Sequence, residues 1–192
     1  MEKYSSTFFE SVKQWPVHLQ LDIYNLYAYL RMMDEFVENN ELHEDFAGIN
    51  KRFLMVADKY DFDEQWIRDF DRAMFTDLIK FEHTVSSMLD YCKGSAEVVG
   101  CMVARMLGCP PEAEEYARAL GRAYQIINFV RDYDDDISRG YHYITDDHQL
   151  YLKMFEEELE KGMKGLEYIP EHLQGAIIES SIRYMDIADG LN

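Results

Sequence analysis

The sequence has few of the residues that break or cross-link a chain. It contains 4 prolines, 10 glycines and 3 cysteines in 192 residues. No segment shows the alternating pattern that is typical of strands, so a sheet-rich fold is not expected. Cys92, Cys101 and Cys109 are odd in number and lack metal-ligand spacing. Because each lies in or beside an apolar stretch, we expect small core residues in a reducing compartment.

Basic residues are also scarce. There are 19 of them against 37 acidic residues, which gives a formal net charge of −18. Such a surface repels phosphate backbones, so we expect no nucleic-acid partner. It is not attracted to an anionic membrane either. An acidic surface does suit a protein that collects divalent cations.

Long apolar runs are missing as well. No window approaches about 18 uninterrupted apolar residues, so no transmembrane helix is expected. The first nine residues are polar and do not resemble a signal peptide. These two absences predict a soluble cytoplasmic protein. Its apolar content of 47% is that of a globular chain, and its length suits one domain over residues 1–192.

The residues that are present predict helix after helix. Helical periodicity runs between the few breakers, among which Gly108-Cys109-Pro110-Pro111 is a strong stop. A short first helix capped at Ser5–Thr7 is followed by seven more. Their predicted ranges are 17–39, 44–59, 63–81, 84–107, 111–137, 149–168 and 171–189.

Two of these helices carry polar stripes among apolar neighbours. On the first, Tyr27, Arg31, Asp34 and Glu38 recur every three or four residues and therefore share a face. The second stripe consists of Gln125, Asn128, Asp132 and Asp136, and Arg131 precedes its first aspartate. With so many acidic residues, either stripe alone is as well explained by a solvated helix face. Two matching stripes favour a polar pocket inside a bundle.

This pattern has a direct chemical use. Carboxylates on facing helices bind hard cations such as Mg²⁺, which keeps positions open for phosphate oxygens. Mg²⁺ and arginine neutralise charge on a departing diphosphate. Walls rich in Phe, Tyr, Met and Leu suit a long apolar chain, and aromatic faces stabilise a carbocation. The combination indicates ionisation of an allylic diphosphate.

A third segment, residues 91–100, places small residues in the middle of a helix. Glycine there costs about 1 kcal/mol relative to alanine. Close helix packing and ligand access explain this segment equally well.

Residues 30–38 resemble the first aspartate-rich motif of the squalene/phytoene synthase family. Residues 124–132, continued to Asp136, resemble the second motif, and residues 91–100 resemble the tyrosine-bearing helix between them. The resemblance spans nearly the whole chain in the family's order. It implies an all-α, single-domain antiparallel helical bundle of the class I isoprenoid synthase fold. The bundle would be shortened, because few residues separate Tyr143 from the next predicted helix.

The resemblance also implies a reaction, the Mg²⁺-dependent head-to-head condensation of two prenyl diphosphates, farnesyl or geranylgeranyl. The product would be squalene-, dehydrosqualene- or phytoene-like, and diphosphate would be released. Mn²⁺ is an alternative metal, and the sequence leaves NADPH use and oligomeric state open. Transient peripheral contact with a membrane would suit an apolar product.

By matching position, residue roles follow from the resemblance. The implied metal ligands are Asp34, Glu38, Asp132 and Asp136, and glutamate stands at 38 where aspartate is usual. The implied catalytic residues are Tyr91, Arg31 and Arg131. The implied substrate-binding residues are Ser5, Ser6, Tyr27, Gln125, Asn128, Arg139 and Tyr184.

Two other functions remain open. A class I terpene synthase or cyclase would use the same ionisation chemistry on a single prenyl diphosphate. A non-catalytic relative would serve as an interaction or assembly protein. Against this last alternative, both acidic motifs keep their carboxylates.

Overall fold

The computed structural model describes residues 6–39, 41–79 and 82–191, and it gives only the backbone of Ser6, Thr7 and Phe9. The described chain is built from helices. They are α1 (Ser6–Ser11), α2 (Val17–Asn39), α3 (Phe46–Lys59), α4 (Glu64–Thr76), α5 (Val85–Cys92), α6 (Val98–Met106), α7 (Glu114–Arg131), α8 (Tyr133–Ser138), α9 (His148–Met163) and α10 (Glu171–Leu191). In this part of the chain, β-pairing is limited to one isolated bridge between Glu82 and His142. The predicted all-α fold is confirmed.

Side-chain caps set several of the helix starts. Asp63 accepts a hydrogen bond from the Gln65 amide before α4. Before α5, Thr84 and Ser87 form a reciprocal capping box. Each cap satisfies an amide that the first turn of a helix leaves unpaired. Gly140, at φ +84°, closes the turn after α8 in a conformation that glycine adopts at little cost.

Four predicted helices differ from the structure. The helix predicted over 63–81 ends at Thr76, and Asp77 begins a turn. The helix predicted over 84–107 contains a π-helical segment, Lys93–Glu97, between α5 and α6. The helix predicted over 111–137 begins with a 3₁₀ turn and is interrupted at Asp132, between α7 and α8. The predicted 149–168 helix also finishes as a 3₁₀ segment, Lys164–Tyr168.

Helix α7 packs closely against the π-helical segment and α6. A Cβ atom on Gly121 would lie 2.4 Å from the Ala96 carbonyl oxygen, and one on Gly100 would lie 2.2 Å from that of Ala117. These glycines therefore let the two backbones approach. On the other side of the π-helical segment, a Cβ on Gly94 would meet the Asp69 carbonyl oxygen at 2.3 Å. Close packing thus explains the glycines in this segment.

The core fills the space between the helices with large apolar side chains, among them Phe53, Phe155, Met88, Met102 and Ile126. Cys92, Cys101 and Cys109 are buried and unpaired, as predicted for core residues. None of the helices over the described ranges is long and apolar enough to cross a membrane.

Candidate functional site

A cavity of about 450 Å³ lies between α2, α6, α7, the π-helical segment and the C-terminal elements. One part of its wall is apolar and includes Val103, Leu107, Leu120, Leu166 and Ile169. Helix α7 lines it from Tyr116 to Asn128, which corresponds to about 18 Å of helix. This long shape suits an extended apolar ligand.

Polar residues line the other end. Arg31 and Asp34 face the cavity from α2, and Gln125 and Asn128 face it from α7. Seven of the predicted site residues line the cavity: Tyr27, Arg31, Asp34, Tyr91, Gln125, Asn128 and Tyr184. The cavity therefore has an apolar part and one polar end.

The first acidic motif is neutralised from its own helix. Arg31 forms ion pairs with Asp34 and, at 2.9 Å, with Glu35. It also lies 3.9 Å from Glu38, two turns further along α2. The i+3 and i+4 spacing of Asp34 and Glu35 places both carboxylates on the side of the helix that carries Arg31.

The second acidic motif lies where α7 ends. Asp132 pairs with the preceding Arg131 through hydrogen bonds of 2.7 and 2.5 Å. Its amide still donates to the Asn128 carbonyl, so it continues the line of α7 one turn past the cavity lining. Asp136 follows on α8 and is buried.

Arg139 connects the two motifs. Its guanidinium group lies 2.6 Å from Glu38 on α2 and 2.7 Å from Asp136 on α8, and it also reaches Asp135 at 3.2 Å. Glu38 and Asp136 are therefore brought to opposite sides of one guanidinium group. Arg31 and Arg139 together cover the carboxylates of this end of the bundle.

Burial dominates the electrostatics here. It raises the pKa of Asp34 to about 6, and the neighbouring carboxylate of Glu38 adds to the shift while Arg31 opposes it. It also raises the pKa of Asp136 to about 6, against the effect of Arg139. Two carboxyl groups whose charged forms are this costly favour the approach of a cation.

The donor chemistry fits a hard divalent metal ion. Besides the carboxylates, the buried Oδ1 atom of Asn128 has no hydrogen-bond partner among the described residues, and carbonyl oxygens are ligands of such ions. Arginines lie between the carboxylates. Accordingly, no group of three or more His, Cys, Asp or Glu is placed to hold a metal within residues 6–39, 41–79 and 82–191. Metal binding would require Arg139 to release Glu38 or Asp136.

A buried tyrosine–carboxylate cluster lies beside these motifs. The Tyr91 hydroxyl donates to Asp77 Oδ2 at 2.6 Å, and Tyr143 hydrogen-bonds to the same carboxyl group. Burial raises the pKa of Asp77 to about 7, although both tyrosines lower it, and Asp34 and Asp136 raise it further. The rings of Phe129 and Tyr143 pack at a centroid distance of 4.6 Å beside Tyr91.

Sequence reasoning missed Asp77. The helix predicted over 63–81 gave this residue an ordinary helical position, and its acidic character does not distinguish it in so acidic a chain. Its partner Tyr91 is 14 residues away, and only the turn after Thr76 brings them together.

Two predicted substrate-binding tyrosines, Tyr27 and Tyr184, form another part of the wall. Tyr124 and Tyr184 stack at 4.1 Å, and the Tyr124 hydroxyl shares hydrogen bonds with Ser180 and Ser181. Tyr27 stacks against Phe8 at 5.7 Å. Ser5 lies outside the described residues, as does the side chain of Ser6.

Solved structures share this fold. A dehydrosqualene synthase crystal structure matches with a TM-score of 0.84 and 20% identity, over 96% of this chain and 81% of that one. A squalene synthase from Alicyclobacillus acidocaldarius matches with a TM-score of 0.84 and 18% identity, over 98% and 89%. The fold is therefore that of the class I isoprenoid synthases, as the motifs implied.

Sequence comparison gives the family. The chain is 28% identical over 169 residues to a 4,4'-diapophytoene synthase of Staphylococcus haemolyticus, which covers 76% of this chain and 59% of the relative. It is 25% identical to a 15-cis-phytoene synthase of Synechococcus elongatus, over 84% and 63%. The chain thus spans about 60% of the length of these two relatives. The squalene/phytoene synthase family model matches residues 1–179, and the chain belongs to that family.

Proposed function

We propose that this chain is a prenyltransferase that condenses two prenyl diphosphates head to head and releases diphosphate. The observation that carries the proposal is the cavity, which is apolar along α7 and bears acidic and basic side chains at one end. A prenyl chain fits the apolar part, and its diphosphate fits the polar end. Family membership supports the same assignment.

The polar end would hold the diphosphate. Arg31 lines the cavity, and Arg131 lies about one turn beyond its lining on α7. Arg139 acts electrostatically on Asp34, which also lines the cavity. A guanidinium group can form a bidentate pair of hydrogen bonds to two phosphate oxygens, and this contact orients the leaving group. Each arginine is now held by carboxylates, so a diphosphate would have to replace those contacts.

The proposed metal is Mg²⁺, held by Asp34, Glu38, Asp132 and Asp136 with support from Asn128. Bound there, it would neutralise charge on the departing diphosphate. The acids themselves would repel a diphosphate, and the arginines offset only part of that charge. Dependence on a divalent cation is therefore expected.

The walls would protect the allylic cation. Apolar residues exclude water along α7, and the rings of Tyr91, Tyr124 and Tyr184 line the cavity near its polar end. Aromatic faces attract a cation by up to about 2 kcal/mol when desolvated. Tyr91 is linked to the acidic motifs through Asp77, on which Asp34 and Asp136 both act electrostatically.

The size of the cavity favours a second candidate. A volume of about 450 Å³ lies toward the lower end of the range for pockets that bind one small molecule. A class I terpene synthase acting on one prenyl diphosphate would need no room for a second chain. This alternative uses the same residues.

Product analysis separates the two. The purified chain would be incubated with farnesyl or geranylgeranyl diphosphate and Mg²⁺, with and without NADPH. Condensation predicts a hydrocarbon of twice the carbon number and two diphosphates released per product molecule. A single-substrate synthase predicts a product of unchanged carbon number and one diphosphate. Absence of both diphosphate release and product would reject both candidates.

A further inference from the structure

The Tyr91 side chain lines the cavity, but its hydroxyl group is bound by a buried carboxylate, Asp77. Asp77 is itself 8% exposed, and the O–O distance between the two side chains is 2.6 Å. Asp77 also receives a hydrogen bond from Tyr143. Two phenols therefore converge on one buried carboxyl group.

Both acidic motifs act on this pair. Both Asp34 on α2 and Asp136 on α8 act electrostatically on Asp77. The Tyr91 ring is held in place by Tyr143 and Phe129, with ring centroids 5.3 and 6.2 Å away. The ring is therefore oriented on one side by packing and on the other by its hydroxyl.

A second tyrosine–carboxylate pair joins Tyr29 on α2 to Asp71 on α4. The Tyr29 hydroxyl donates to Asp71 at 2.7 Å, and the Tyr29 ring stacks on Phe53 at 3.9 Å. Tyr29 is not among the residues that line the cavity. This second pair shares the tyrosine–carboxylate hydrogen bond and the ring packing of the first, although Asp71 is less buried than Asp77. Because it lacks access to the cavity, it is a natural control.

A hydroxyl that donates to a carboxylate has a defined effect on its ring. The charge-assisted bond draws the proton away from the phenol oxygen, which leaves the oxygen and ring richer in electrons. The hydroxyl is also unable to donate toward the cavity. Both effects increase the attraction of the ring for a cation in a desolvated site.

We propose that Asp77 is a positioning residue, which holds the Tyr91 hydroxyl away from the substrate and polarises the phenol toward the allylic cation. This inference rests on the proposed ionisation of a prenyl diphosphate. Asp77 touches neither the substrate nor the metal in this role and acts through Tyr91. No bond forms or breaks on Asp77 itself.

A double-mutant cycle tests the role. Asp77→Asn keeps the size of the side chain and an acceptor oxygen and removes the charge. At pH 8, above the pKa of Asp77, we expect about a tenfold lower kcat with KM unchanged. In a Tyr91→Phe background, Asp77→Asn should cause no further loss, because the hydroxyl through which it acts is gone. Asp71→Asn, the matched control, should leave kcat unchanged.

Several results would overturn the inference. They are an unchanged kcat in Asp77→Asn, additive losses in the double variant, or an equal loss in Asp71→Asn. The melting temperatures of all variants would be measured alongside. A loss of activity that merely follows a loss of stability would give Asp77 a structural role only.

A binding experiment does not depend on turnover. The probe is a long-chain dimethylalkylammonium, which places a cation on an apolar tail, with Mg²⁺ and inorganic diphosphate present. Asp77→Asn should weaken its binding about tenfold and leave binding of the neutral alcohol of equal length unchanged. Equal weakening of both ligands would contradict the inference. If the ammonium ligand but not the alcohol is weakened and the chain forms no prenyl product, the proposed function is rejected. The inference that Asp77 polarises Tyr91 is then still supported.

Discussion

The two acidic motifs differ in backbone structure, because one lies on a continuous helix and the other spans a break between two helices. The first is part of α2, an uninterrupted helix of 23 residues, in which Asp34 lines the cavity. The second spans an interruption, because Asp132 ends α7 and α8 begins with the next residue. The first motif is therefore held on a single rigid helix. The second spans the junction between two helices, whose relative angle can change.

Their neutralising arginines differ in the same way. Arg31 pairs with carboxylates three and four residues further along its own helix. Arg139 follows α8 and reaches across to Glu38, 101 residues away in the chain. The first motif is thus paired by an arginine of its own helix. Arg139 pairs with Asp135 and Asp136 of the second motif and also ties that motif to the first. We expect movement on ligand binding at α8 rather than at α2.

The largest predicted effect compares Asp34→Asn with Asp132→Asn. Removal of either charge should lower kcat by orders of magnitude, about 10³-fold for Asp34 and about 10²-fold for Asp132. Asp34 should matter more because it lines the cavity on a rigid helix, whereas the interruption at Asp132 lets neighbouring acids compensate. Steady-state assays of diphosphate release would measure both effects.

Asp90→Asn is a suitable control for this comparison. Asp90 is an exposed acid paired with Lys93 close to the same region, so kcat should be unchanged. Full turnover by Asp132→Asn would remove that residue from the mechanism. A greater loss for Asp132 than for Asp34 would contradict the assignment of the first motif as the rigid one.

The same difference in continuity explains what the sequence could predict. Helix α2 was predictable to the residue, because Pro16 precedes it and no breaker follows until its end. The interruption at Asp132 and the end of α4 at Thr76 occur without proline or glycine. A tertiary contact accompanies the end of α4, namely the bond from Tyr91 to Asp77. At the interruption, Asp132 pairs with its own chain neighbour, Arg131.

The candidate site was predictable in part for a related reason. Stripes at helical spacing identify residues that share a face, and five of the eight stripe residues line one cavity. Tyr91 and Tyr184, which also line it, were predicted from the family resemblance. The partners of those residues depend on distances between helices, which periodicity does not contain. The contact between Arg139 and Glu38 is of that kind.

A smaller effect is predicted for Glu38→Asp. Glu38 extends one methylene further than the family's usual aspartate and reaches Arg139 at 2.6 Å. Shortening it should weaken metal binding about tenfold, because Mg²⁺ demands near-ideal octahedral geometry. The apparent Mg²⁺ requirement of the two forms would be compared. Glu38→Gln, which keeps the length and removes the charge, would show whether reach or charge is responsible.

The outcome bears directly on the comparison of the motifs. If the rigid first motif is adapted to glutamate, then aspartate cannot be accommodated by movement of α2. An unchanged Mg²⁺ requirement in Glu38→Asp would show that Glu38 is not a direct ligand. Arg139 would then be its main partner in all states.

The smallest predicted effect is a pH dependence of stability in the absence of divalent cations. Burial raises the pKa of Asp77 to about 7 and those of Asp34 and Asp136 to about 6. In the unfolded chain these groups titrate near pH 3.9. The folded protein therefore binds more protons than the unfolded one between about pH 4 and 7. This contribution to stability is fully present below that window and is lost as the pH rises through 6 to 7.

The melting temperature should accordingly rise on going from pH 8 to pH 6.5, on the order of 2 °C. The range stops at pH 6.5 because burial lowers the pKa of His83, which opposes the trend under more acidic conditions. Asp77→Asn should remove most of the change, since Asp77 has the highest pKa of the three. Asp34→Asn and Asp136→Asn should each remove a smaller and similar part of the change in melting temperature. The reason is that burial raises the pKa of both carboxyl groups to about the same value, although their backbones differ. Unequal effects of these two substitutions would show that the interruption at Asp132 also alters the pKa values of the second motif.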